Sequence, residues 1–238
     1  MGIRTERLRY EYKELGTGDP IESENLVEFR LLYSGRLMGA TNTKTRADLK
    51  HEIRRQFHPQ LRRLWQTNHG LQQLASYAIS DLWRAQHPDA DLRTFSDEDR
   101  RQAGIESIAM QWQRAGFSFV PLVTSPLALR CRIEILFLRP DEPRYVMESG
   151  DLDNRIKTLF DALRIPKNLD ETSGMGPQAD EAPFFCLLED DKLISEVSIN
   201  ADQLLLLPNQ QQINPNEAFL VIRVELNHAH AGTFDRYF

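Results

Sequence analysis

The sequence predicts an α+β fold, in which a mixed β-sheet packs against helices. Several segments alternate apolar and polar residues, which is typical of half-buried strands, and others repeat apolar residues every three or four positions, which is typical of helices. The strand-like segments lie on both sides of a run of helices, the order expected of an α+β chain. Of the 238 residues, 41% are hydrophobic and 27% are charged, which fits one large domain or a core with insertions.

The first half of the chain is predicted to contain one strand and three helices. Residues 1–25 are polar and lack a persistent period, which indicates a loosely held, flexible N-terminal arm. NLVEFRLLYSGRLM predicts the first strand, and TKTRADLKHEIRRQF predicts a helix that Pro59 should interrupt or kink. Two more helices are predicted at LQQLASYAISDLWRAQ and SDEDRRQAGIESIAMQWQRAG, the second opened by a capping box of Ser96 and Asp99.

The second half is β-rich around one further helix. FSFVPLVTS and LALRCRIEILFLRP predict two strands, DLDN opens the helix, and LISEVSINADQ and EAFLVIRVELN predict the last two strands. The acidic segment at about 168–183 combines glycine and proline with acids and has no apolar period, so we expect an exposed, mobile loop. Residues 229–238 are expected to form a C-terminal tail.

Several classes of protein do not fit the sequence. No apolar run approaches the roughly 20 residues needed to span a bilayer, and the first residues lack the apolar core of a signal peptide. Cys131 and Cys186 lie alone in apolar surroundings, which favours buried free thiols and a cytoplasmic location. The chain has no P-loop, dinucleotide-binding fingerprint, serine-nucleophile elbow or zinc spacing.

Charge is unevenly distributed along a chain whose net charge is −6. The stretch from Arg46 to Arg63 holds six lysines and arginines against two acids. Such a helix is most often a solvated face, but it can also neutralise nucleic-acid phosphates. The residues predicted to contact nucleic acid are Lys50, Arg54, Arg55, Arg62 and Arg63. His51 and His58, in the same stretch, are expected at the surface.

The helix opened by DLDNRIK has two different faces. If it runs from about 152 to 164, its buried stripe is formed by Ile156, Leu159, Phe160 and Leu163. Asp153 and Lys157 then lie together at the edge of that stripe, and Asp151 lies in the entry turn. A purely structural interpretation is available, because Asp151 can cap the helix and Asp153 can pair with Lys157 one turn on.

A second acidic group weakens that structural interpretation. In LLEDDKLIS, Glu189, Asp190 and Asp191 follow an apolar run and precede a β-rich one, and they cannot all pair with Lys192. Mg²⁺ is bound by one or a few carboxylates together with water and phosphate oxygens, and clustered carboxylates repel one another without a cation. The predicted ligands are Asp151, Asp153 and Asp191, with Asp190 as a further candidate.

Together, DLDNRIK and the later DD before a strand resemble the RusA-type Holliday junction resolvases, whose motif is D-L-D-N-x-x-K followed by D-D. The order of elements is similar to that family: strand 26–33, helix 46–65, strand 127–138, motif helix 151–164, and strands 193–201 and 217–226. The resemblance implies a RusA-like α+β subunit that forms a homodimer. It also implies hydrolysis of phosphodiester bonds in branched DNA by a crossover junction endodeoxyribonuclease of recombination and repair, with Mg²⁺ or, as a substitute, Mn²⁺.

The resemblance also implies roles for individual residues. Asp151, Asp153 and Asp191 would be the essential carboxylates, and Asp190 also belongs to the motif. Lys157 would be the essential base or the contact to a phosphate. The basic helix would flank the acidic site and neutralise the DNA backbone.

The chain departs from the family in two places. A helical subdomain is inserted at about 66–117 of a nuclease domain predicted over 26–228, and it offers a surface for a protein partner. The Pro/Asn-rich segment after the first strand is absent. The substrate could therefore be another structured DNA or RNA, or the chain could be a catalytically silent nucleic-acid-binding or scaffold subunit.

The tryptophans expected to anchor packing of the helices are Trp65, Trp83 and Trp112.

Overall fold

The computed structural model describes most of the region between the two predicted termini. The described residues are 27–37, 43–139, 151–172, 174, 176–205 and 217–228. The predicted N-terminal arm and C-terminal tail lie outside them. Within these ranges the chain contains helices and two mixed β-sheets, so the predicted α+β class is confirmed.

The elements follow one another in the order that the sequence analysis predicts, with a few additions. The strands are β1 (Val27–Arg36), β2 (Gln113–Arg114), β3 (Phe117–Val123), β4 (Leu129–Arg139), β5 (Phe184–Leu188), β6 (Ile194–Gln203) and β7 (Glu217–His228). The helices are α1 (Thr43–Thr67), α2 (His69–Tyr77), α3 (Asp81–Gln86), α4 (Asp97–Gln111) and α5 (Asp151–Leu163). Short 3₁₀ turns lie at Leu169–Thr172 and Asp191–Leu193. No helix within the described ranges is both long and apolar enough to cross a bilayer.

The larger sheet has the strand order β1-β7-β4-β6. β7 is antiparallel to both of its neighbours, whereas β4 and β6 are parallel. The smaller sheet has the order β2-β3-β5, with β3 and β5 parallel. Strand β5 was not predicted, because all five of its residues are buried and it has no apolar-polar alternation to mark it.

The main core lies between the larger sheet and the helices α1 and α5. Alternate residues of β1, β4 and β7 are buried, as the alternation in the sequence predicts. Helix α1 contributes Ile53, Phe57 and Leu61, each no more than 2% exposed. A smaller aromatic cluster joins the second sheet to the end of α5. Cys131 and Cys186 are buried free thiols, as predicted.

Helix α1 continues through Pro59, so Pro59 does not interrupt it, and the alternative prediction of a kink stays a prediction. Pro59 is exposed. The same turn of α1 covers the outer edge of β1, because the Gln60 side chain accepts from Leu32 N at 2.9 Å and donates to Leu32 O at 2.7 Å. This contact protects an edge that would otherwise be open to another strand.

The predicted second helix is divided into α2 and α3, because Ser80 starts a new helix by accepting from Trp83 N. Trp65 and Trp83 are buried and Trp112 is half-buried, in keeping with packing roles. Helices α2 and α4 approach closely at Gly104, where a Cβ atom would lie 1.6 Å from the carbonyl oxygen of Ala75. Only a residue without a side chain allows this approach of two backbones.

Gly104→Ala should therefore separate α2 from α4. We expect the free energy of unfolding to fall by about 1–3 kcal/mol, the usual cost of overpacking. Chemical denaturation measures it. Gly176→Ala is the matched control, since nothing lies within 4 Å of the added Cβ. Equal stability of the two variants would contradict the packing of α2 on α4.

The aromatic cluster also encloses His51, which is 1% exposed. Its ring lies 5.8 Å from the ring of Phe117 and 6.4 Å from that of Phe184. Neither ring nitrogen has a hydrogen-bond partner in the described part of the chain. Burial, with the positive charges of Arg54 and Arg55, lowers the pKa of His51 from 6.5 to about 4. The expected surface position of His51 is therefore wrong.

His51 should make the protein less stable in mild acid. Because its pKa is depressed in the fold, the unfolded chain takes up a proton first as the pH falls. Stability is therefore full above about pH 6.5 and is lost towards pH 4, by on the order of 3 kcal/mol. In His51→Leu, thermal melting should depend less on pH across this range. The exposed His69, changed to Leu, is the control and should melt with the wild-type pH dependence.

Candidate active site

Helix α5 carries the D-L-D-N-x-x-K motif in its first two turns. Ile156, Leu159 and Leu163 are buried, as predicted, and Phe160 is half-buried. The opposite face is open to solvent and carries Asp153 and Lys157. The apolar spacing of the helix thus determines which motif residues face outwards.

The carboxylate of Asp153 and the ammonium of Lys157 form an ion pair of 2.6 Å, as the spacing predicts. Their side chains are 72% and 68% exposed. An exposed pair one helical turn apart stabilises a helix by only about 0.3–0.5 kcal/mol. Both groups therefore remain available to a charged ligand. Asp151 is the first residue of α5, and its side chain lies outside the described part, so its predicted role stays a prediction.

Two of the three acids after β5 accept hydrogen bonds from the backbone. Glu189 Oε2 accepts from Ser125 N at 2.7 Å and so fixes the turn before β4. Asp190 Oδ1 accepts from Lys192 N at 3.0 Å and caps the 3₁₀ turn. That backbone hydrogen bond lowers the pKa of the Asp190 carboxyl. Sequence reasoning did not predict either role.

Asp191 lies beside the end of α5. Its Oδ2 is 4.0 Å from Nε of Arg164, and its side chain is 41% exposed. Arg164 itself is buried, and its other nitrogens bond Asp161 at 2.6 Å and Glu171 at 3.0 Å. Nε has no hydrogen-bond partner among the described groups. The Asp191 carboxylate is therefore near a buried cation, at more than hydrogen-bonding distance.

The predicted convergence of Asp151, Asp153 and Asp191 stays a prediction, because the side chain of Asp151 lies outside the described part. Asp153 lies in the first turn of α5 and Arg164 follows its last residue, so about 16 Å of helix axis separates them. The 3₁₀ turn that carries Asp191 contacts α5. In the part of the chain that the structure describes, no group of three His, Cys, Asp or Glu residues could hold a metal ion. The oxygen donors have the chemistry that Mg²⁺ prefers.

Arg54 was predicted to contact nucleic acid, and this prediction is wrong because the residue is buried. It is 1% exposed. Its guanidinium donates to the carbonyl oxygens of Asp161 at 2.9 Å, Arg164 at 3.3 Å and Glu171 at 3.4 Å. Burial lowers its pKa to about 10, which leaves it protonated at neutral pH. Arg54 therefore joins α1 to the end of α5 and to the acidic segment.

Lys50 is corrected for the same reason. It is 7% exposed, and its ammonium lies 2.5 Å from the Asp161 carboxylate. Arg55 is partly exposed but binds the buried carboxylate of Glu181 at 2.7 Å. The segment at 168–183 is thus not simply the predicted exposed loop, since parts of it pack against α1. Of the predicted nucleic-acid contacts, the half-buried Arg62 and the exposed Arg63 remain accessible.

His58 is also buried rather than at the surface. Its Nδ1 accepts from Phe185 N at 2.9 Å, so its Nε2 donates to the carbonyl oxygen of Asp180, also at 2.9 Å. Burial is the main reason that its pKa is lowered. Lys50, Arg54 and His58 follow one another at i, i+4 and i+8. This spacing places the three residues on one side of α1, and it indicates a second buried face of the helix.

Comparisons with family models, curated proteins and solved structures find no match for this chain. The function must therefore be argued from the residues of the candidate site.

Proposed function

We propose that the chain is a RusA-like, Mg²⁺-dependent endonuclease that cleaves branched DNA as a homodimer. The observation that carries the proposal is the open face of α5. It presents Asp153 and Lys157 of the D-L-D-N-x-x-K motif to solvent. The D-D pair follows on a turn that contacts the same helix, with Asp191 partly exposed.

In this proposal the chain binds the cation through Asp151, Asp153 and Asp191, which offer only carboxylate oxygens. Mg²⁺ would supply a water of lowered pKa and polarise the scissile phosphate when bound. Lys157 would turn from Asp153 to a phosphate oxygen and offset its negative charge. The ion pair that Lys157 gives up is exposed and weak, so this turn of the side chain costs little.

In this proposal the Asp191 side chain is free to turn towards the cation. Its contact with Arg164 is 4.0 Å long, and the side chain is partly exposed. A carboxylate at this distance is not fixed by a hydrogen bond.

A second candidate is a catalytically silent nucleic-acid-binding or scaffold subunit. Its support is that Asp153 and Asp191 each lie next to a cation of the protein and, among the described residues, belong to no three-ligand group. Such a subunit would bind structured nucleic acid without cleaving it.

Cleavage of four-way, flap, duplex and single-stranded DNA, with and without Mg²⁺ or Mn²⁺, separates the two candidates. We expect metal-dependent cleavage of the four-way substrate. Asp153→Asn and Asp191→Asn should each lower it by at least about 100-fold, the scale of losing one electrostatic contact to a transition state. Asp170→Asn, which changes an exposed acid of the other 3₁₀ turn, is the control.

Near-isosteric substitutions keep the fold, which thermal melting verifies. Cleavage by Asp153→Asn at the wild-type rate would contradict the nuclease site. Binding of the four-way substrate by the wild type without cleavage in either metal would favour the silent subunit.

A further inference from the structure

A cleft of about 410 Å³ lies between α1, α2, α4 and the start of β5. Residues that line it include Arg62, Arg63, Trp65, Arg101, Ile105 and Pro183. None of its lining residues belongs to α5 or to the acid pair. Its volume is within the range of about 300–1,000 Å³ for small-molecule sites.

The polar groups of this cleft are mainly donors. Three arginines line it, against one acid, Glu98. Arginine and the tryptophan indole can donate hydrogen bonds but cannot accept them. Trp65 is 4% exposed, and its Nε1 has no partner in the described part of the chain. A ligand that satisfies these groups must be rich in acceptors and negatively charged.

The arginines are only weakly held. Arg62 makes a single long hydrogen bond of 3.3 Å to the carbonyl oxygen of Asp180. Arg101 pairs with Glu98 at 2.6 Å, but the Glu98 side chain is 77% exposed. Exposed ion pairs of this kind contribute about 0–1 kcal/mol. Arg63 is exposed and takes part in none of the ion pairs found in the described ranges. Each of the three is therefore available to an anion that enters the cleft.

The rest of the lining is apolar. Ile105 and Pro183 are half-buried, and Phe185 and Trp65, which also line the cleft, are buried. Apolar and aromatic side chains with a few polar groups are the usual lining of a small-molecule site. Donors and apolar groups in one cleft match the charged phosphate and the apolar base faces of a nucleotide.

We propose that this cleft binds one nucleotide, with its phosphate on Arg62, Arg63 and Arg101 and its base against Ile105 and Pro183. The Trp65 indole donates to an acceptor of the same ligand. The nucleotide is either free or a unit of a single-stranded nucleic acid. This site goes beyond the proposed nuclease function and does not require it, since binding here needs no metal and no residue of α5.

Isothermal titration of the full chain with deoxyadenosine 5′-monophosphate tests the site. We expect binding that Arg63→Gln and Arg101→Gln together weaken by at least about tenfold, because charged hydrogen bonds to the phosphate are lost. Arg93→Gln removes one such charge from an exposed position outside the cleft and should leave the affinity within about twofold. Trp65→Phe keeps an aromatic ring but loses the donor, and should weaken binding several-fold in a variant that still melts cooperatively.

Further probes separate the ligands. Deoxyadenosine should bind at least about tenfold more weakly than its monophosphate, since it lacks the charged group. A short 5′-phosphorylated oligothymidylate that binds more tightly than the monophosphate identifies a single strand as the source, and weaker binding identifies a free nucleotide. Absence of binding, equal loss in Arg93→Gln, or equal affinity for inorganic phosphate or a phosphoserine peptide would overturn the proposal. Cleavage assays do not enter these outcomes, so failure here is distinct from failure of the nuclease proposal.

Discussion

The guanidinium of Arg54 lies inside the protein and donates to the carbonyl oxygens of Asp161, Arg164 and Glu171. These three residues come more than 100 positions later in the sequence. One turn earlier on α1, Lys50 neutralises the Asp161 carboxylate. A buried cation is tolerated only when its hydrogen bonds are complete, and breaking such a set costs about 3–5 kcal/mol. The end of α5 and the start of the acidic segment are therefore held against α1 as one unit.

This contact determines what the candidate active site can present. With the end of α5 held on α1 and its apolar stripe on the sheet, the remaining face turns Asp153 and Lys157 to solvent. Arg164, fixed by Asp161 and Glu171, supplies the positive charge near Asp191. Lys50 and Arg54 of α1 thus act on the site through structure, and Arg62 and Arg63 of the same helix line a separate cleft.

Local patterns in the sequence predicted the parts of the fold that depend on local physics. The alternation of β4, the stripe of α5 and the Asp153–Lys157 pair all follow from residue spacing. Charge spacing could not show that Arg54 faces the interior, because the groups that bind it come from more than 100 positions later in the chain. The relative positions of Asp153 and Asp191 also depend on tertiary contacts, which no short motif specifies.

Urea denaturation of Arg54→Lys and Arg63→Lys tests most directly whether the buried guanidinium of Arg54 stabilises the fold. Both changes keep the charge and remove the planar fork of the guanidinium. Arg54→Lys should lose about 3–5 kcal/mol of unfolding free energy, because carbonyl oxygens inside the protein lose their donors. Arg63→Lys, at an exposed position, should stay within about 0.5 kcal/mol of the wild type. Equal stability of the two variants would contradict a structural role for Arg54.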